Sequence, residues 1–360
     1  MKRVLVTGSG GLAGVNFVRA LRASSRGYYI VGTDYNKYHL LYPDVDARYL
    51  TPRHDDKAFI PRVAEIAKKE KADFLHPQPS SEAYVISRKR EAVPSKVFLP
   101  PASVMKVGQD KLLSQEKLKA KGVPVAKTAR LRTKTDIRRA FSKLGRPLWV
   151  RARRGAGGRL SLLCDDAAEA RLWIELWVRR GGATLEEFII QEYLPGRNIA
   201  WDSLWKGGRL VTSFSRERLE YPFKHISPSG ITGTPSVSRT IHDPRINEWG
   251  QKAVKAIDPD ANGAYSVDAK ESSDGTPCIT EVDAGKFHST MPLWGYIGVK
   301  HLGLPEYSNL ADLYVRLGLN EDLADEPPKT DLIPEGNYLL RDMDVGAYLW
   351  REDGSKTKVL

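Results

Sequence analysis

The sequence predicts a mixed α/β chain: a doubly wound parallel sheet over roughly the first hundred residues, then an α+β half rich in antiparallel strands. Three observations carry this. Apolar strand-like runs alternate with amphipathic helical segments at the start, an order that implies crossover connections. A small strand–helix unit then lies between Val125 and Phe188. Beyond it, strand follows strand with turn residues between them.

The elements follow in order. Arg3–Thr7 reads as a buried strand, and Leu12–Ala23 has helical spacing through Leu12, Val15, Val18 and Leu21. Tyr29–Asp34 is a second strand and Phe59–Lys69 a helix, its apolar face set by Ile60, Val63, Ile66 and Ala67. Ala72–His76 is a third strand, Ser81–Arg90 a helix and Val97–Pro100 a fourth strand. Gly108 to Gly122 reads as one helix ended by glycine, with Val123–Lys127 an extended linker. The small unit comprises helix Thr135–Leu144, strand Pro147–Ala152, a glycine loop, strand Leu160–Cys164 and helix Ala167–Val178. Strands Phe188–Tyr193, Ile199–Trp205 and Arg209–Phe214 come next, then helix Ile246–Ile257 and a hairpin. The last residues carry two strand-like pieces, at Tyr338 and at Ala347–Trp350.

With 360 residues, 41% of them hydrophobic and 28% charged, the chain has material for two or three domains. Its two cysteines, Cys164 and Cys278, make neither a disulfide framework nor a zinc cluster and suit a reducing, cytoplasmic setting. Met1-Lys-Arg before Val-Leu-Val imitates the start of a signal peptide, but the apolar run stops at Thr7-Gly8. No run approaches the roughly 20 apolar residues of a membrane span. The net charge is +12, and basic residues concentrate between Arg130 and Arg159, with Arg151, Arg153, Arg154 and Arg159 around one glycine-rich loop. That favours a phosphate-bearing ligand over an extended nucleic-acid surface, because no aromatic residues are interleaved to stack bases.

The hairpin concentrates the chemistry. Residues two apart on a strand share a face, so Glu281 and Asp283 point the same way. The preceding strand, Gly263–Lys270, returns through Ser272–Gly275. With a simple loop there, Asp268 falls opposite Ile279 and diagonal to Glu281, roughly 5–8 Å away. Three carboxylates that close repel one another unless a cation neutralises them, and an all-oxygen set suits Mg²⁺ carried on a phosphate substrate. The other face, with Val267, Cys278 and Val282, reads as core. A solvated acidic face is the alternative.

Gly8, Gly11 and Gly14 follow the first strand with the spacing of a nucleotide-binding turn, and Asp34 ends the second strand where a ribose-binding acid would sit. Alone, this reads as an NAD(P)-dependent short-chain dehydrogenase. That chemistry needs a tyrosine with a lysine four residues later. Tyr221 to Lys224 is one residue short and Tyr265 to Lys270 one too long. Otherwise the glycines serve a tight turn and close helix packing.

Four segments complete the reading: Gln109-Asp-Lys111 opening a helix, Gly122-Val-Pro-Val-Ala-Lys127, Arg146 to Gly158, and Ile190-Gln-Glu-Tyr-Leu-Pro-Gly196. With the hairpin acids, their order and spacing resemble the ATP-grasp superfamily, nearest to the ATP-binding halves of carbamoyl phosphate synthetase and to carboxylate–amine ligases. The resemblance covers residues 1 to about 300. It implies a Rossmann-like pre-ATP-grasp domain (1–105) and an ATP-grasp domain (106–320) with an inserted lid (126–188), followed by a C-terminal tail (321–360). It implies ATP and Mg²⁺ or Mn²⁺, and a carbon–nitrogen ligase acting on small-molecule carboxylates and amines. A homo-oligomer is compatible with it.

The resemblance also assigns roles. Lys111 and Arg151 reach phosphates, while Gly155, Gly157 and Gly158 form a loop whose N–H groups can converge on an anion. Gln191, Glu192 and Leu194 line adenine, Asn198 takes the ribose position, and Asp268, Glu281 and Asp283 hold the metal. Two departures stand out. Asn198 occupies the place of an acid, and Gly285 that of the arginine that steadies the transferred phosphoryl group. Lys286, Arg218 or Lys224 are the substitutes within reach in sequence. A nucleotide-binding protein without turnover is the corresponding alternative. Ser229–Gly233 resembles a substrate-side segment of carbamoyl phosphate synthetase. His225 and His288 read as surface or hydrogen-bonded histidines, Cys278 as core, and Trp173 and Trp177 as packing residues.

Overall fold

The computed structural model describes residues 1–360 apart from 156, 159, 344 and 345, so Arg159 lies outside the described residues. The first body contains β1 (Lys2–Thr7), α1 (Leu12–Arg22), β2 (Tyr28–Asp34), β3 (Ala47–Leu50), α2 (Phe59–Lys69), β4 (Phe74–Pro77), α3 (Ser80–Arg88) and β5 (Lys96–Val97). Its sheet runs β3-β2-β1-β4-β5 with every pair parallel, as the alternation predicts. β3 escapes sequence reading because it is four residues long and alternates between half-buried and exposed.

Two short helices follow, α4 (Ala102–Gly108) and α5 (Lys111–Ala120). The helix expected from Gly108 to Gly122 is α5, which starts only at Lys111, and the helix before it, α4, was not expected. Asp110 leaves helical geometry, and its carboxylate accepts the Leu113 N–H at 3.3 Å, which starts α5 afresh. The lid then holds β6 (Thr128–Arg130), α6 (Thr135–Leu144), β7 (Leu148–Ala152), β8 (Leu162–Cys164), α7 (Ala167–Arg179) and β9 (Phe188–Glu192). Its sheet order is β6-β9-β7-β8, so β9 is a lid strand. The lid has its own core, in which Ile137, Val150, Ile174 and Phe188 are buried together.

The remainder is β10 (Asn198–Lys206), β11 (Arg209–Glu220), β12 (Val237–Ile241), α8 (Pro244–Ile257), β13 (Gly263–Glu271), β14 (Pro277–Ala284), α9 (Met291–His301), α10 (Leu310–Leu319), β15 (Asn337–Asp342), β16 (Gly346–Arg351) and β17 (Lys356–Lys358). The central sheet runs β14-β13-β10-β11-β12-β15-β16-β17. The C-terminal residues thus extend that sheet, with β15 pairing on β12. One face packs Trp201, Tyr265, Val267 and Val282 with Leu5, Phe59 and Val63 of the first body. The other side of the molecule joins Val4 and Phe17 to Trp294, Tyr314 and Leu349. The first body and the central sheet therefore share two apolar cores, a large burial at roughly 25 cal/mol per Å².

The hairpin register differs from the simple expectation. Asp268 pairs directly with Glu281, and a bulge at Thr280 shifts the register so that Ile279 pairs with Ala269. The Thr280 hydroxyl donates to Asp268 O at 3.2 Å, which pins the extra residue. Ile279 is consequently buried rather than sharing the acidic face, while Val267 and Val282 are core as expected. Cys278 is buried too, but the bulge sets it opposite Lys270, on the Asp268 side of the strand, where it packs with Ala126 and Leu194 instead of the core expected for it.

Candidate active site

Apart from Lys224, the residues proposed from sequence for phosphate, adenine, ribose, metal and catalysis line one cavity of about 680 Å³ between lid, central sheet and first body. Four strands of the central sheet set its floor. Alternate residues of β10, β11, β13 and β14 face it, which brings Asn198, Arg218, Asp268, Glu281 and Asp283 to one side of the sheet.

The acidic residues are each met by a cation. Glu281 Oε1 lies 2.9 Å from Lys111 Nζ, and Oε2 lies 3.2 Å from Arg151 Nη2. Arg218 Nη2 donates to Asp268 Oδ1 at 2.5 Å, and Lys286 Nζ sits 3.0 Å from Asp283 Oδ2. Burial would push Asp268 and Asp283 up, but Arg218 and His288 outweigh it at the first, and Lys286 and His288 at the second, so both carboxyls are held below the usual range. Burial likewise lowers Lys286, and Asp283 overcomes it to raise the ammonium pKa. Among the described residues no three His, Cys, Asp or Glu side chains close into a ready-made metal cage. The donor set nevertheless fits Mg²⁺, which is held by one or two carboxylates plus substrate phosphates rather than by an all-protein cage.

The glycine loop is tied to Lys111 at its start. Lys111 Nζ donates to Gly155 O at 2.6 Å, and Lys111 N–H donates to Arg153 O at 3.0 Å. Arg153 and Arg154 do not face the cleft floor; they grip Asp110 at 2.7 and 2.9 Å. Gly158 has φ +69°, and a Cβ there would stand 2.6 Å from Ile231 O, so the loop meets the 229–233 segment backbone to backbone.

At the β9 end, Gln191 is buried and donates to Thr128 Oγ1 at 2.9 Å. The Glu192 N–H is taken by Lys127 O at 2.9 Å and its carboxylate accepts the Lys127 N–H at 2.8 Å, so Glu192 fastens the entry to the lid. Leu194 O accepts from Lys270 Nζ at 2.9 Å. Asn198 donates to the Tyr221 hydroxyl at 3.0 Å.

Three residues escaped sequence reading. Asp202 is fully buried on β10, where it pairs with Arg216 and accepts from Ser266 Oγ at 2.7 Å. His288 is no surface histidine: Nδ1 lies 2.9 Å from Asp202, and Nε2 lies 3.5 Å from Asp283 and 3.7 Å from Asp268. Burial lowers its pKa despite those acids. The signal available was the two-residue spacing of Arg216 with Arg218, which puts both on the face of Asp202. Lys224 is exposed, 3.9 Å from Glu220, and Gly285 is packed with φ +81° against Met105 and Pro100.

The glycine turn after β1 borders the same cleft through Gly8, Gly11 and Gly14, but part of it packs closely on the protein itself. A Cβ on Gly8 would meet the Pro79 ring at 2.2 Å, and one on Gly10 would meet His39 O at 2.2 Å. Asp34 accepts from Gly10 N–H at 3.2 Å and Asn36 N–H at 2.9 Å, so both of its oxygens brace the local turn. Among the described residues no helix is long and apolar enough to cross a membrane.

No family model matches the sequence. A glutamate–LysW ligase, ArgX, from Sulfurisphaera tokodaii is 28% identical over 158 residues, covering 43% of this chain and 54% of that protein. The match thus spans about half the length of the curated relative. Among solved structures, the L-amino acid ligase of Bacillus licheniformis aligns with a TM-score of 0.66 at 16% identity, covering 94% of this chain and 79% of that one. N5-carboxyaminoimidazole synthetase of Staphylococcus aureus in complex with ADP gives 0.68 at 17% identity, covering 95% and 82%. The biotin carboxylase domain of Hydrogenobacter thermophilus 2-oxoglutarate carboxylase, with MgADP and bicarbonate, gives 0.66 at 18%, covering 94% and 73%. The fold is the ATP-grasp fold.

Proposed function

Starting from the ATP-grasp fold, we propose that this chain is an ATP- and Mg²⁺-dependent ligase that activates a small-molecule carboxylate as an acyl phosphate for attack by an amine. The observation that carries the reading is the convergence of Lys111, Arg151, Arg218 and Lys286 on the acids Asp268, Glu281 and Asp283 within one cleft. The names of the similar proteins, a glutamate–LysW ligase and an L-amino acid ligase, support it.

ATP would lie between lid and sheet, with adenine against β9 and Leu194, and ribose at Asn198. Asp268, Glu281 and Asp283 would hold Mg²⁺ (Mn²⁺ has the same oxygen preference), which when bound supplies charge neutralisation to the β- and γ-phosphates. Lys111, Arg151 and the N–H groups of Gly155, Gly157 and Gly158 would bear on the phosphates. The carboxylate oxygen bonds to the γ-phosphorus as the bond to ADP breaks. The amine then bonds to the acyl carbon, phosphate leaves, and the nitrogen loses a proton to give the amide. Arg218 and Lys286 take the part that Gly285 cannot play, steadying the transferred phosphoryl group. Lid and first body exclude water from the acyl phosphate.

A nucleotide-binding protein without turnover is the second reading. Its support is Asn198, which is committed to Tyr221, and the closed position at Gly285. The test is thermal stability with Mg-ATP, NAD⁺ or NADPH, followed by ADP release in a screen of acids and amines. A ligand at 100 times its dissociation constant adds about 2.7 kcal/mol. Stabilisation by Mg-ATP with ADP release supports the ligase; stabilisation without release in any mixture supports the second reading. Stabilisation by NAD(P) alone overturns both.

A further inference from the structure

We infer that the end of the cleft away from β9 carries an anion subsite built on Arg19 and Arg341, which receives an acidic group, a carboxylate or a phosphate, on the small-molecule substrate. The word substrate rests on the ligase reading; the binding does not.

Five residues form one hydrogen-bonded arc. Arg341, on β15, donates through Nη2 to Thr234 Oγ1 at 2.5 Å and through Nε to Pro235 O at 3.1 Å. The Thr234 and Ser289 hydroxyls are 2.5 Å apart, and both residues line the cleft. Asn16 donates to Ser289 O at 2.7 Å and accepts from Arg19 Nη1 at 2.5 Å. Two guanidiniums thus end an arc whose middle faces the cavity, contributed by α1, the 232–235 segment, the start of α9 and the C-terminal hairpin.

The charges are unbalanced. Among the described residues neither Arg19 nor Arg341 makes an ion pair with an acid, although other arginines of this molecule commonly do. Both are half-buried. Burial lowers both, and Arg19 adds to the lowering of Arg341, the sign expected of like charges sharing a poorly solvated place. The Tyr296 phenol beside Arg19 is the other titratable group bearing on the pair. An anion between the two would relieve that repulsion. A planar fork with unused donors suits an oxyanion better than an ammonium would. The Thr234 and Ser289 hydroxyls supply further polar contacts on the cavity side.

The test is calorimetric titration of the full chain, saturated with Mg-ADP, using glutarate and separately inorganic phosphate. Binding of one of them, weakened at least tenfold in both Arg19→Met and Arg341→Met and weakened less in Arg341→Lys than in Arg341→Met, is the expected result. Which anion binds assigns the group as carboxylate or phosphate. Unchanged Mg-ADP affinity reports that each variant is folded; should Arg341→Met not fold, Arg19→Met and Arg341→Lys carry the comparison. Absence of binding for both anions, or equal binding in the Met variants, overturns the subsite and leaves the arginines as braces. No turnover is involved, so anion binding without ADP release counts against the ligase reading alone, and ADP release without anion binding counts against the subsite alone.

Discussion

Glu281→Gln removes one charge and little volume, and its consequences can be worked from the contacts. Without nucleotide, Glu281 stands between Lys111 at 2.9 Å and Arg151 at 3.2 Å. At about 3 Å and an effective dielectric near 20, each attraction is about 5 kcal/mol gross. Desolvation cancels much of that, and deleting one member of a buried pair costs about 3–5 kcal/mol when the other is stranded. Lys111 is not stranded, since Gly155 O still accepts from it at 2.6 Å, and the Gln carbonyl can accept as well. A stability loss of about 1–3 kcal/mol follows. The effect on function is larger and has two signs. Loss of a metal ligand should lower ADP release by about a hundredfold or more. ADP binding in EDTA should hold or tighten, because Lys111 and Arg151 are freed for the phosphates. ADP release is followed by a coupled assay and affinity by calorimetry with and without Mg²⁺. Turnover within threefold of wild type would sink the metal assignment, and tenfold weaker metal-free ADP binding would refute the roles given to the two cations.

Two further outcomes are expected. Gly285→Arg, which restores the arginine of the resemblance, should destabilise: a Cβ there meets Met105 Cε and Pro100 Cδ at 3.0 Å with φ +81°, and overpacking costs about 1–3 kcal/mol. Raised turnover with an unchanged melting temperature would mean that the site is degenerate at that position. Glu82, beneath the glycine turn, is pushed up to about 7 by burial, with the Thr7 hydroxyl opposing and Asp34 reinforcing. The fold favours its protonated form, so its contribution is complete below an ordinary carboxyl pKa and is lost as pH rises through about 7, by up to about 3 kcal/mol. Glu82→Gln should therefore flatten the decline in stability between pH 5 and 8 in urea titrations; an unchanged slope would refute the assignment.

What could be read from sequence was whatever rests on local spacing. The limits of α2 and α6 follow from apolar periodicity and are met to the residue. The acids at 268, 281 and 283 share a face because period two is a property of any strand. What escaped depends on contacts distant in the chain. The Thr280 bulge changes the register by one, and nothing in Thr-Glu-Val-Asp announces it. His288 reads as an ordinary polar residue until the turn after β14 carries it beside Asp202, 86 positions earlier in the chain. Gly285 reads as a lost arginine, whereas the fold shows that residues 100 and 105 already occupy the space. α9 is apolar nearly all round, so it offers no stripe to recognise.

The lid keeps its principal core to itself, while the first body and the central sheet share theirs. This division separates the two halves of the cleft by what holds them in place. The wall of Thr234 and Ser289, backed by Arg341, belongs wholly to the fused pair. The phosphate wall draws Arg151 and the glycines from the lid and Lys111 from the fused pair, so it spans a seam between two separately packed bodies. A substitution that loosens the lid's core should therefore reach the phosphate wall and spare the other.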